Sequence, residues 1–531
     1  MFEVRATDLA GRIGKLKMRR GFINTPAILP VVHPLKQIIH PSELKKIGFE
    51  AIMTNAYITM KHYGEEAKKR GIHSILNFDG IIATDSGGYQ VLEYGELDTT
   101  PIEIAKFQEA IGSDIAIVLD KPTGLNVSRK YAEETVKATI LASKQTLNIK
   151  ERKALWVGPI QGGKYLSLLK SSAKQMARLK FDLYALGSPT LVMENYDFKL
   201  LVKMITVVKQ NLPLNKPLHL FGAGHPLTIP LAVALGCDLF DSASYILYAR
   251  DDRYITSKGT VRLEDLYYLE CSCPICSTHT LNELKSLDKI EREKKIALHN
   301  LYVLKNEINA TKQAIEEGRL WEYLSMKARS HPKLWEAFIL LNKYYRYLED
   351  GTPLFKPRAL FFFNYIDQMR PEVIRYNERL ILDVEIPLER EILILIPEVD
   401  YNTLMRITTL HKRLDEYLGI NSKKIQICFL SYPYGVIPEE LADLYPLTQY
   451  ESSLHIDTQI EVLKLTLKRL NKFLMKKAFQ KIILVNNNKF YSPLIKMLQR
   501  KIKNCVIIDA MNESISKIID KIANQIIGLK S

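Results

Sequence analysis

Two aspartates in the first half of the chain have the surroundings expected of catalytic carboxylates. Asp85 begins the glycine turn DSGGYQ (85–90), and Asp241 lies in LFDSA (239–243) at the end of an apolar run. Two carboxylates on one face suit chemistry at an anomeric carbon, where one attacks the sugar and the other handles the proton of the leaving group. Asp241 and Asp85 fit these two roles. The alternative is a structural pair that caps neighbouring helices.

A third aspartate, Asp238, precedes Asp241 by three residues. Because side chains alternate along a strand, these two carboxylates must point to opposite faces. Asp241 is nearer the end of the apolar run and is therefore the better candidate for the site.

Glycine-rich turns supply further candidates for contact with a ligand. In DSGGYQ two glycines let the backbone approach a ligand closely, and Tyr89 offers a flat face for stacking, although a plain turn between strand and helix is the alternative. In QGG (161–163) the amide of Gln161 can hydrogen-bond the edge of a heterocycle. In FGAGHP (221–226) we expect His225 to order the loop rather than to catalyse.

Three of the six cysteines fall within six residues and predict a metal site. Cys271, Cys273 and Cys276 are followed by His299, and three thiolates with one imidazole form a closed tetrahedral site of the structural zinc type. His279 is a rival fourth ligand, and an iron–sulfur centre is an alternative to zinc. The other cysteines are scattered, which is typical of a reducing compartment and not of a disulfide framework.

Eight short apolar runs, with amphipathic stretches between them, predict the elements that position these residues. Eight such βα units in about 250 residues predict a (β/α)8 TIM barrel, an α/β fold. An open doubly wound sheet is the alternative, but no G-x-G-x-x-G motif follows the first run. The runs cover residues 25–32, 51–55, 80–85, 115–120, 155–161, 183–187, 218–222 and 237–241.

Polar residues or glycines close the third to the eighth of these runs. The carboxyl ends of barrel strands open onto one face, which is where such enzymes place their chemistry. We therefore expect the following residues to meet at one face: Asp85, Asp120, Gln161, Gly187, Gly222 to His225, and Asp241.

The sequence predicts a second, smaller domain after the barrel. Residues 1–350 are expected to form the catalytic domain, with a helical zinc-binding subdomain at about 265–350, and residues 351–384 a connecting segment. Apolar runs at 391–399, 425–431, 481–488 and 504–510 predict a small α/β layer domain over 385–531.

Positive charge is concentrated at the C-terminal end. The 531 residues include 74 Lys and Arg against 59 Asp and Glu, a net charge of +15, and 461–531 hold 15 basic and 4 acidic residues, a net of +11. This excess favours a polyanionic partner, and a solvated charged surface is the alternative. The residues expected to share one helical face are Lys464, Lys468, Arg469 and Lys472, extended by Lys476 and Lys477. We find no signal peptide and no membrane-spanning apolar run, and therefore expect a soluble cytoplasmic protein.

Taken together, these motifs resemble the tRNA-guanine transglycosylases, specifically the archaeal branch that makes the precursor of archaeosine. The resemblance covers residues 1 to about 350 and rests on DSGGYQ, the Asp120 strand end, QGG, the Gly187 turn, FGAGHP, LFDSA and the CxCxxC…H pattern. It implies a pentosyltransferase that exchanges the guanine at position 15 in the tRNA D-arm for 7-cyano-7-deazaguanine (preQ0). The exchange would proceed through a covalent glycosyl-aspartate.

The resemblance also implies residue roles and partners. Asp241 corresponds to the nucleophile, Asp85 to the general acid/base and Tyr89 to the aromatic residue that covers the base. The other candidate substrate-binding residues are Asp120, Gln161, Gly187 and Ser86. One structural Zn²⁺ per chain, tRNA and free preQ0 as substrates, and a homodimer are expected. Longer archaeal members end in a PUA domain that we do not find in this sequence, so a separate PUA-type protein, or the basic residues 461–531, would grip the tRNA.

Two other functions are weaker interpretations. A tRNA-binding or archaeosine-synthase-like paralogue that has lost exchange need not keep Asp85 and Asp241 in intact motifs. A base exchanger acting on DNA is disfavoured by RPEVIRYNERL (370–380) and PYGVIPEELADLYPLTQYE (433–451). These segments resemble the domain that follows the catalytic part in archaeal transglycosylases and in archaeosine synthase.

Overall fold

The structure, a computed structural model, divides into two units, Met1–Thr352 and Pro353–Ser531. It describes residues 2–88, 98–397 and 424–527, apart from 454–458, 488, 503, 512 and 514, together with 412, 415 and 416. Within these ranges, no helix combines the length and the apolar character needed to cross a bilayer.

The first unit begins with a three-stranded antiparallel sheet that the sequence analysis did not predict. Its strands are β1 (Phe2–Asp8), β2 (Gly11–Lys17) and β3 (Phe22–Thr25), in that order. Arg12 of β2 forms a bidentate ion pair with Asp238, with Nε–Oδ1 and Nη2–Oδ2 distances of 3.0 and 2.5 Å. Both side chains are buried, and Asp238 is therefore committed to joining this sheet to the barrel.

Eight parallel strands form the barrel that the apolar runs predict. They are β4 (Ala27–Pro30), β5 (Ala51–Asn55), β6 (Ile81–Asp85), β7 (Ile115–Ile117), β8 (Leu155–Ile160), β9 (Leu183–Leu186), β10 (Leu218–Leu220) and β11 (Leu239–Ser242). Their spatial order is β4-β11-β10-β9-β8-β7-β6-β5. A parallel bridge from Val31 to Met53, with a 2.8 Å bond from Val32 N to Met53 O, joins the two end strands. The TIM-barrel prediction is confirmed.

Helices alternate with these strands, as the amphipathic stretches predict. They are α1 (Pro41–Ile47), α2 (Ala56–Arg70), α3 (Ile72–Leu76), α4 (Pro101–Ala110), α5 (Arg129–Leu147), α6 (Leu166–Arg178), α7 (Thr190–Glu194), α8 (Phe198–Lys209), α9 (Thr228–Ala234) and α10 (Ser244–Arg250). Their starts follow sequence rules: α4 begins with a capping box in which Thr100 and Glu103 satisfy each other's backbone N–H, and Pro101 occupies its first turn.

A mainly helical subdomain follows the barrel. It comprises a hairpin, β12 (Arg253–Thr256) and β13 (Gly259–Arg262), then α11 (Pro274–Thr278), α12 (Leu281–Ser286), α13 (Lys289–Glu316), α14 (Leu320–Ala328), α15 (Pro332–Leu340) and α16 (Tyr345–Gly351). The helix α13 is 28 residues long. Asp288, the residue before it, caps its N-terminus, and the Asp288 carboxylate accepts from two backbone N–H groups of the first turn. Its buried face carries His299 toward the cysteines.

The second unit is an α/β layer. Its strands are β14 (Leu360–Phe362), β15 (Ile392–Pro397), β16 (Ile425–Ser431), β17 (Gly435–Pro438), β18 (Tyr450–Ser452), β19 (Lys481–Asn486) and β20 (Cys505–Asp509). Five of them form a sheet in the order β17-β16-β15-β19-β20, in which only β17 is antiparallel to its neighbour among the described strands, and β14 pairs with β18. Its helices are α17 (Pro371–Arg375), α18 (Ile381–Asp383), α19 (Gln459–Leu474), α20 (Ser492–Lys501) and α21 (Ile515–Ile527).

Alternation along the central strands gives this sheet two apolar faces. Ile394 and Ile483 lie in one hydrophobic cluster, whereas Leu393 and Leu484 lie in the other. A sheet that is apolar on both faces needs cover on both faces, which gives the layered arrangement. Residues 351–384, predicted as a connecting segment, contribute β14 and α17 to this unit, and Leu360 is fully buried in its core.

Candidate active site

The inner face of the barrel ends in polar side chains. Apolar residues fill the interior below: Leu29, Met53, Ala83, Ile117, Val157, Ala185 and Leu239. Because strand side chains alternate, Asn55, Asp85 and Asp241 follow Met53, Ala83 and Leu239 by two residues and continue the same inward rows. These three polar residues therefore lie where the strands open at their carboxyl ends.

Asp241 is held by one of its two carboxylate oxygens. Oδ1 accepts from the backbone N–H of Gly222 at 3.1 Å and contacts His219 Nε2 at 2.9 Å. His219 is buried on β10, the strand next to β11. No described residue hydrogen-bonds Oδ2 of Asp241. The carboxylate is thus oriented, its negative charge is stabilised by two donors, and one oxygen remains available for a substrate.

Asp85 lies in a different environment. Its Oδ2 accepts from Asn55 Nδ2 at 3.2 Å and from the Gly87 N–H at 3.3 Å. Burial, together with the negative charges of Asp120 and Asp241, raises the pKa of Asp85 to about 7. Both charged neighbours act on Asp85, so the three carboxylates share one site. A carboxyl group that titrates near neutral pH can donate and accept a proton.

Asp120 and Gln161 form a connected polar pair at the ends of β7 and β8. Gln161 Nε2 donates to Asp120 Oδ2 at 2.5 Å, and Gln161 Oε1 accepts from Thr123 N and Ser188 Oγ, both at 2.9 Å. Burial raises the pKa of Asp120 to about 6. The amide of Gln161 is fixed in one orientation by these contacts, and both side chains are nearly inaccessible.

Two glycines leave the space that this pair occupies. A Cβ at Gly187 would lie 2.2 Å from Gln161 Nε2, and a Cβ at Gly88 would lie 2.5 Å from Asp120 Oδ1. Any larger residue would displace the polar pair. Glycine is therefore required at both positions, because the side chains of Asp120 and Gln161 lie too close to the backbone for a Cβ atom.

The predicted metal ligands converge. The ligand atoms of Cys271, Cys273, Cys276 and His299 all lie within 4.8 Å of one another. His299 Nδ1 is 3.5 Å from Cys273 Sγ and 3.4 Å from Cys276 Sγ, and the two sulfurs are 3.6 Å apart. A tetrahedral zinc with ordinary bond lengths would space its ligand atoms by roughly 3.5–3.8 Å. The cluster therefore fits a metal ion.

The surroundings of His299 favour metal binding through Nδ1. Its Nε2 is 2.8 Å from the carbonyl oxygen of Ile255, which fixes the proton on that nitrogen. Tyr254 stacks on the ring at 3.6 Å, and its hydroxyl contacts Cys276 Sγ at 3.0 Å. The rival ligand His279 instead contacts Thr278 and the Ile275 carbonyl.

Comparison with known proteins agrees with these features. The sequence matches the family described as queuine tRNA-ribosyltransferase over residues 8–333. The tRNA-guanine(15) transglycosylase of Methanocaldococcus jannaschii is 42% identical over 473 residues, 87% of this chain and 70% of that protein. The enzymes of the same name from Sulfolobus acidocaldarius and Saccharolobus solfataricus are 39% and 41% identical, each over 92% of this chain and over 95% and 97% of their own lengths.

This chain belongs to the queuine tRNA-ribosyltransferase family. Residues 373–525 match a second family, described as a domain of unknown function (DUF5591), which falls within the second unit.

Most residues singled out in the sequence lie at the carboxyl ends of the barrel strands. Ser86 is buried, and its hydroxyl donates to the Val118 carbonyl at 3.2 Å, tying the turn to the end of β7. His225 Nδ1 accepts from the Leu227 N–H at 3.3 Å, a contact within its own loop that agrees with the predicted loop-ordering role. Tyr89 lies outside the described residues.

Sequence reasoning missed His219 and Asn55. Each contacts one of the two candidate catalytic carboxylates, at 2.9 and 3.2 Å. His219 is the second residue of the LHLFG run (218–222), and the alternation of side chains along a strand, which also directs Asp241 inward, was the available signal. Asn55 closes the AIMTN run and pairs in register with Asp85.

The structure corrects the basic face that the sequence predicts for α19 and the residues just after it. Arg469 does not project into solvent with its neighbours, because its Nη1 donates to Gln368 Oε1 and the Pro433 carbonyl, both at 2.7 Å. Lys476 and Lys477 bind backbone carbonyls at 381–388. Lys464, Lys468 and Lys472 remain exposed. Only Arg469 of this set is turned toward the rest of the unit by the packing of α19.

Proposed function

We propose that this protein is a tRNA-guanine transglycosylase that replaces guanine 15 of the tRNA D-arm with preQ0, a step of archaeosine biosynthesis. The observation that carries the proposal is the difference between its two site carboxylates. Asp241 is oriented by two donors on Oδ1 and has no described partner on Oδ2, whereas Asp85 has a pKa raised to about 7. One is equipped as a nucleophile and the other as a proton donor and acceptor.

The reaction follows from these two environments. Oδ2 of Asp241 attacks C1′ of the target nucleotide, the bond to guanine breaks, and Asp85 delivers a proton to the departing base. PreQ0 then enters, gives a proton to Asp85, and attacks the same carbon, which releases Asp241. Each attack inverts the configuration at C1′, so the product keeps the original stereochemistry. A base in a folded RNA must leave its stack to reach a barrel pocket.

Base recognition is assigned to the buried pair at the ends of β7 and β8. The carboxylate of Asp120 can accept from the amino and imino N–H groups of a guanine-like base, and the fixed amide of Gln161 holds that carboxylate in place. The turns at Ser86 and Gly187 bring the backbone close to the base, and the role of covering the ring, which the family resemblance gives to Tyr89, concerns a residue outside the described ones. Guanine and preQ0 share this hydrogen-bonding edge, so one pocket serves both halves of the exchange.

Zinc is the metal that best suits the cluster of three cysteines and His299. All four tetrahedral positions are filled by protein atoms, which leaves no site for a substrate or a reactive water. The ion when bound would therefore stabilise the subdomain around α13 and take no part in the exchange.

Incorporation of labelled base tests the proposal. Purified protein should transfer labelled guanine or preQ0 into an unmodified tRNA transcript that carries guanine at position 15. A matched transcript with adenine at that position should receive no label. Tight tRNA binding without any transfer would instead favour the non-exchanging, archaeosine-synthase-like paralogue.

A further inference from the structure

A cavity of about 190 Å³ lies within the second unit, apart from the barrel site. One wall is the C-terminal half of α19, and the other is the segment 374–382, which contains a π-helical turn at Tyr376–Leu380. π-Turns cost regular hydrogen bonding and occur frequently at functional sites. The proposed exchange reaction leaves this cavity without a role.

Arg469 is the central charged group of the cavity. Its Nη1 donates only to neutral oxygens, those of Gln368 and Pro433, and the described residues offer its other nitrogens no hydrogen-bond partner. Burial lowers the pKa of Arg469 to about 10, since the surroundings disfavour its charge. Arg469 is half-buried and has no carboxylate partner among the described residues, so its guanidinium beside the cavity is suited to take an anion as its partner.

The remaining charges around the cavity are mostly positive. Lys468 and Lys472 line it one helical turn apart, and neither has a carboxylate partner in the part of the chain that the structure describes. Lys476 donates to the carbonyls of Ile381, Leu382 and Val384 at 2.6–2.7 Å, which fixes the opposite wall. Among the described residues that line the cavity, Glu378 is the one carboxylate.

We propose that this cavity binds a phosphate group, with Arg469 as the deep donor and Lys468 and Lys472 at the mouth. A guanidinium fork with two ammonium groups matches the several oxygens and the charge of a phosphate better than it matches a single carboxylate. We assign the group to the backbone of the tRNA, an assignment that rests on the proposed function. Phosphate binding itself does not depend on that function.

The first test uses the full chain with inorganic phosphate as the probe. Phosphate should raise the melting temperature of the wild type more than chloride at equal ionic strength. The gain should disappear in a Lys468→Gln/Lys472→Gln variant and persist in the charge-matched control Lys464→Gln/Lys496→Gln, whose exposed lysines lie outside the cavity. Glu378→Gln should increase the gain. Equal responses to phosphate and chloride in the wild type would overturn the proposal.

The second test measures tRNA binding as a function of salt. The cavity variant should bind about tenfold or more weakly, and its log–log salt slope should fall by roughly 1.5 units, since each phosphate contact contributes about 0.7–0.9. The control should change by clearly less. Equal losses in both variants would refute a defined tRNA phosphate site, whereas a phosphate-specific thermal shift with unchanged tRNA affinity would assign the site to a free phosphorylated ligand.

These readouts are independent of catalysis. If labelled base fails to enter tRNA with the wild type, the proposed function falls, while the phosphate-dependent shift still decides whether the cavity binds an anion.

Discussion

At the residue scale, the site depends on two chemically identical side chains whose neighbours differ. The inward rows of β6 and β11 end in Asp85 and Asp241. Contacts from β10 and the following turn orient the carboxylate of Asp241, whereas burial and two nearby carboxylates raise the pKa of Asp85. Their division of labour is set by environment, and each can be tested by removing its charge.

Replacing Asp241 by Asn should reduce exchange by at least about 10³-fold, because an amide cannot form the glycosyl ester. Binding of tRNA should be nearly unchanged. Wild type mixed with tRNA should yield a covalent adduct on a denaturing gel, and an adduct in Asp241→Asn would refute the assignment. Asp238→Asn, three residues earlier, is the contrast: it should lower the melting temperature, because leaving Arg12 without its buried carboxylate partner costs about 3–5 kcal/mol, yet retain the adduct.

Replacing Asp85 by Asn should abolish exchange and raise stability at alkaline pH. Because the pKa of Asp85 is raised to about 7 in the folded protein, the folded state binds a proton between about pH 4 and 7 that the unfolded state lacks. Its contribution to stability therefore falls as pH rises to 7. Asp85→Asn should melt above wild type at pH 8, with a difference that shrinks toward pH 5.

The exposed Asp251→Asn is the control for this comparison, and its melting profile should follow wild type at every pH. A constant offset between Asp85→Asn and wild type from pH 5 to 8 would contradict the raised pKa.

At the element scale, neighbouring strands and one long helix bring together residues that are distant in sequence. The parallel register of β10 and β11 sets His219 beside Leu239, and Asp241 follows on the same inward row. The helix α13 carries His299 back to the cysteine loop. In both places a rigid element fixes a side chain that a loop alone would leave free to rotate.

His219 is expected to act as a positioning residue through Asp241. His219→Phe keeps an aromatic ring but removes the hydrogen bond, which at about 1.5–3 kcal/mol for a charged acceptor should lower kcat roughly 10- to 100-fold. The KM for tRNA should change little. His219→Gln, whose amide can reach a similar position, should recover most of the activity. Equal losses in both variants would indicate that the ring serves only for packing.

Loss of the metal should first appear as a loss of stability. Because a closed site contributes folding energy, chelation or Cys273→Ala should lower the melting temperature by roughly 5 °C or more. His279→Ala should leave it unchanged, since His279 does not reach the cluster. Metal-free protein that melts at the wild-type temperature would remove the structural-zinc assignment.

At the scale of the whole molecule, the basic segment 461–531 lies in a different unit from the candidate chemistry, although residues 1–352 and 353–531 both carry a net positive charge, +9 and +6. The net charge of +15 includes +11 within residues 461–531, whereas the three carboxylates of the site lie in the barrel. Salt should therefore affect capture of RNA and chemistry differently.

Raising the salt concentration from about 50 to 200 mM should increase the KM for tRNA steeply. Each contact between the protein and a tRNA phosphate releases counterions, and added salt therefore opposes binding. The KM for free preQ0 and the kcat at saturating tRNA should change much less, since preQ0 carries no net charge and its binding releases no counterions. Steady-state kinetics with each substrate varied in turn provides the measurement. A parallel rise of both KM values would argue against a separate electrostatic contribution to tRNA binding.

The sequence by itself determined the barrel and the α/β layer, and it reduced the candidate metal ligands to three cysteines and one of two histidines, His279 or His299. These features are carried by local patterns: strand runs that alternate with helical stretches, and cysteine spacing typical of a metal site. Most residues of the candidate site were also found in the sequence, because barrel strands expose their carboxyl ends at one face whatever the details of packing.

Only the tertiary structure decided how those residues are paired. His219 contacts Asp241, Asn55 contacts Asp85, and Arg469 packs inward against Gln368. Strand register and helix packing bring these groups together from distant parts of the chain. The antiparallel sheet β1–β3 was also missed, although its strands pair locally within residues 2–25. Its attachment to the barrel through Arg12 and Asp238, 226 residues apart, is what only the folded chain shows. The raised pKa of Asp85 has the same origin: burial and neighbouring charges exist only after folding.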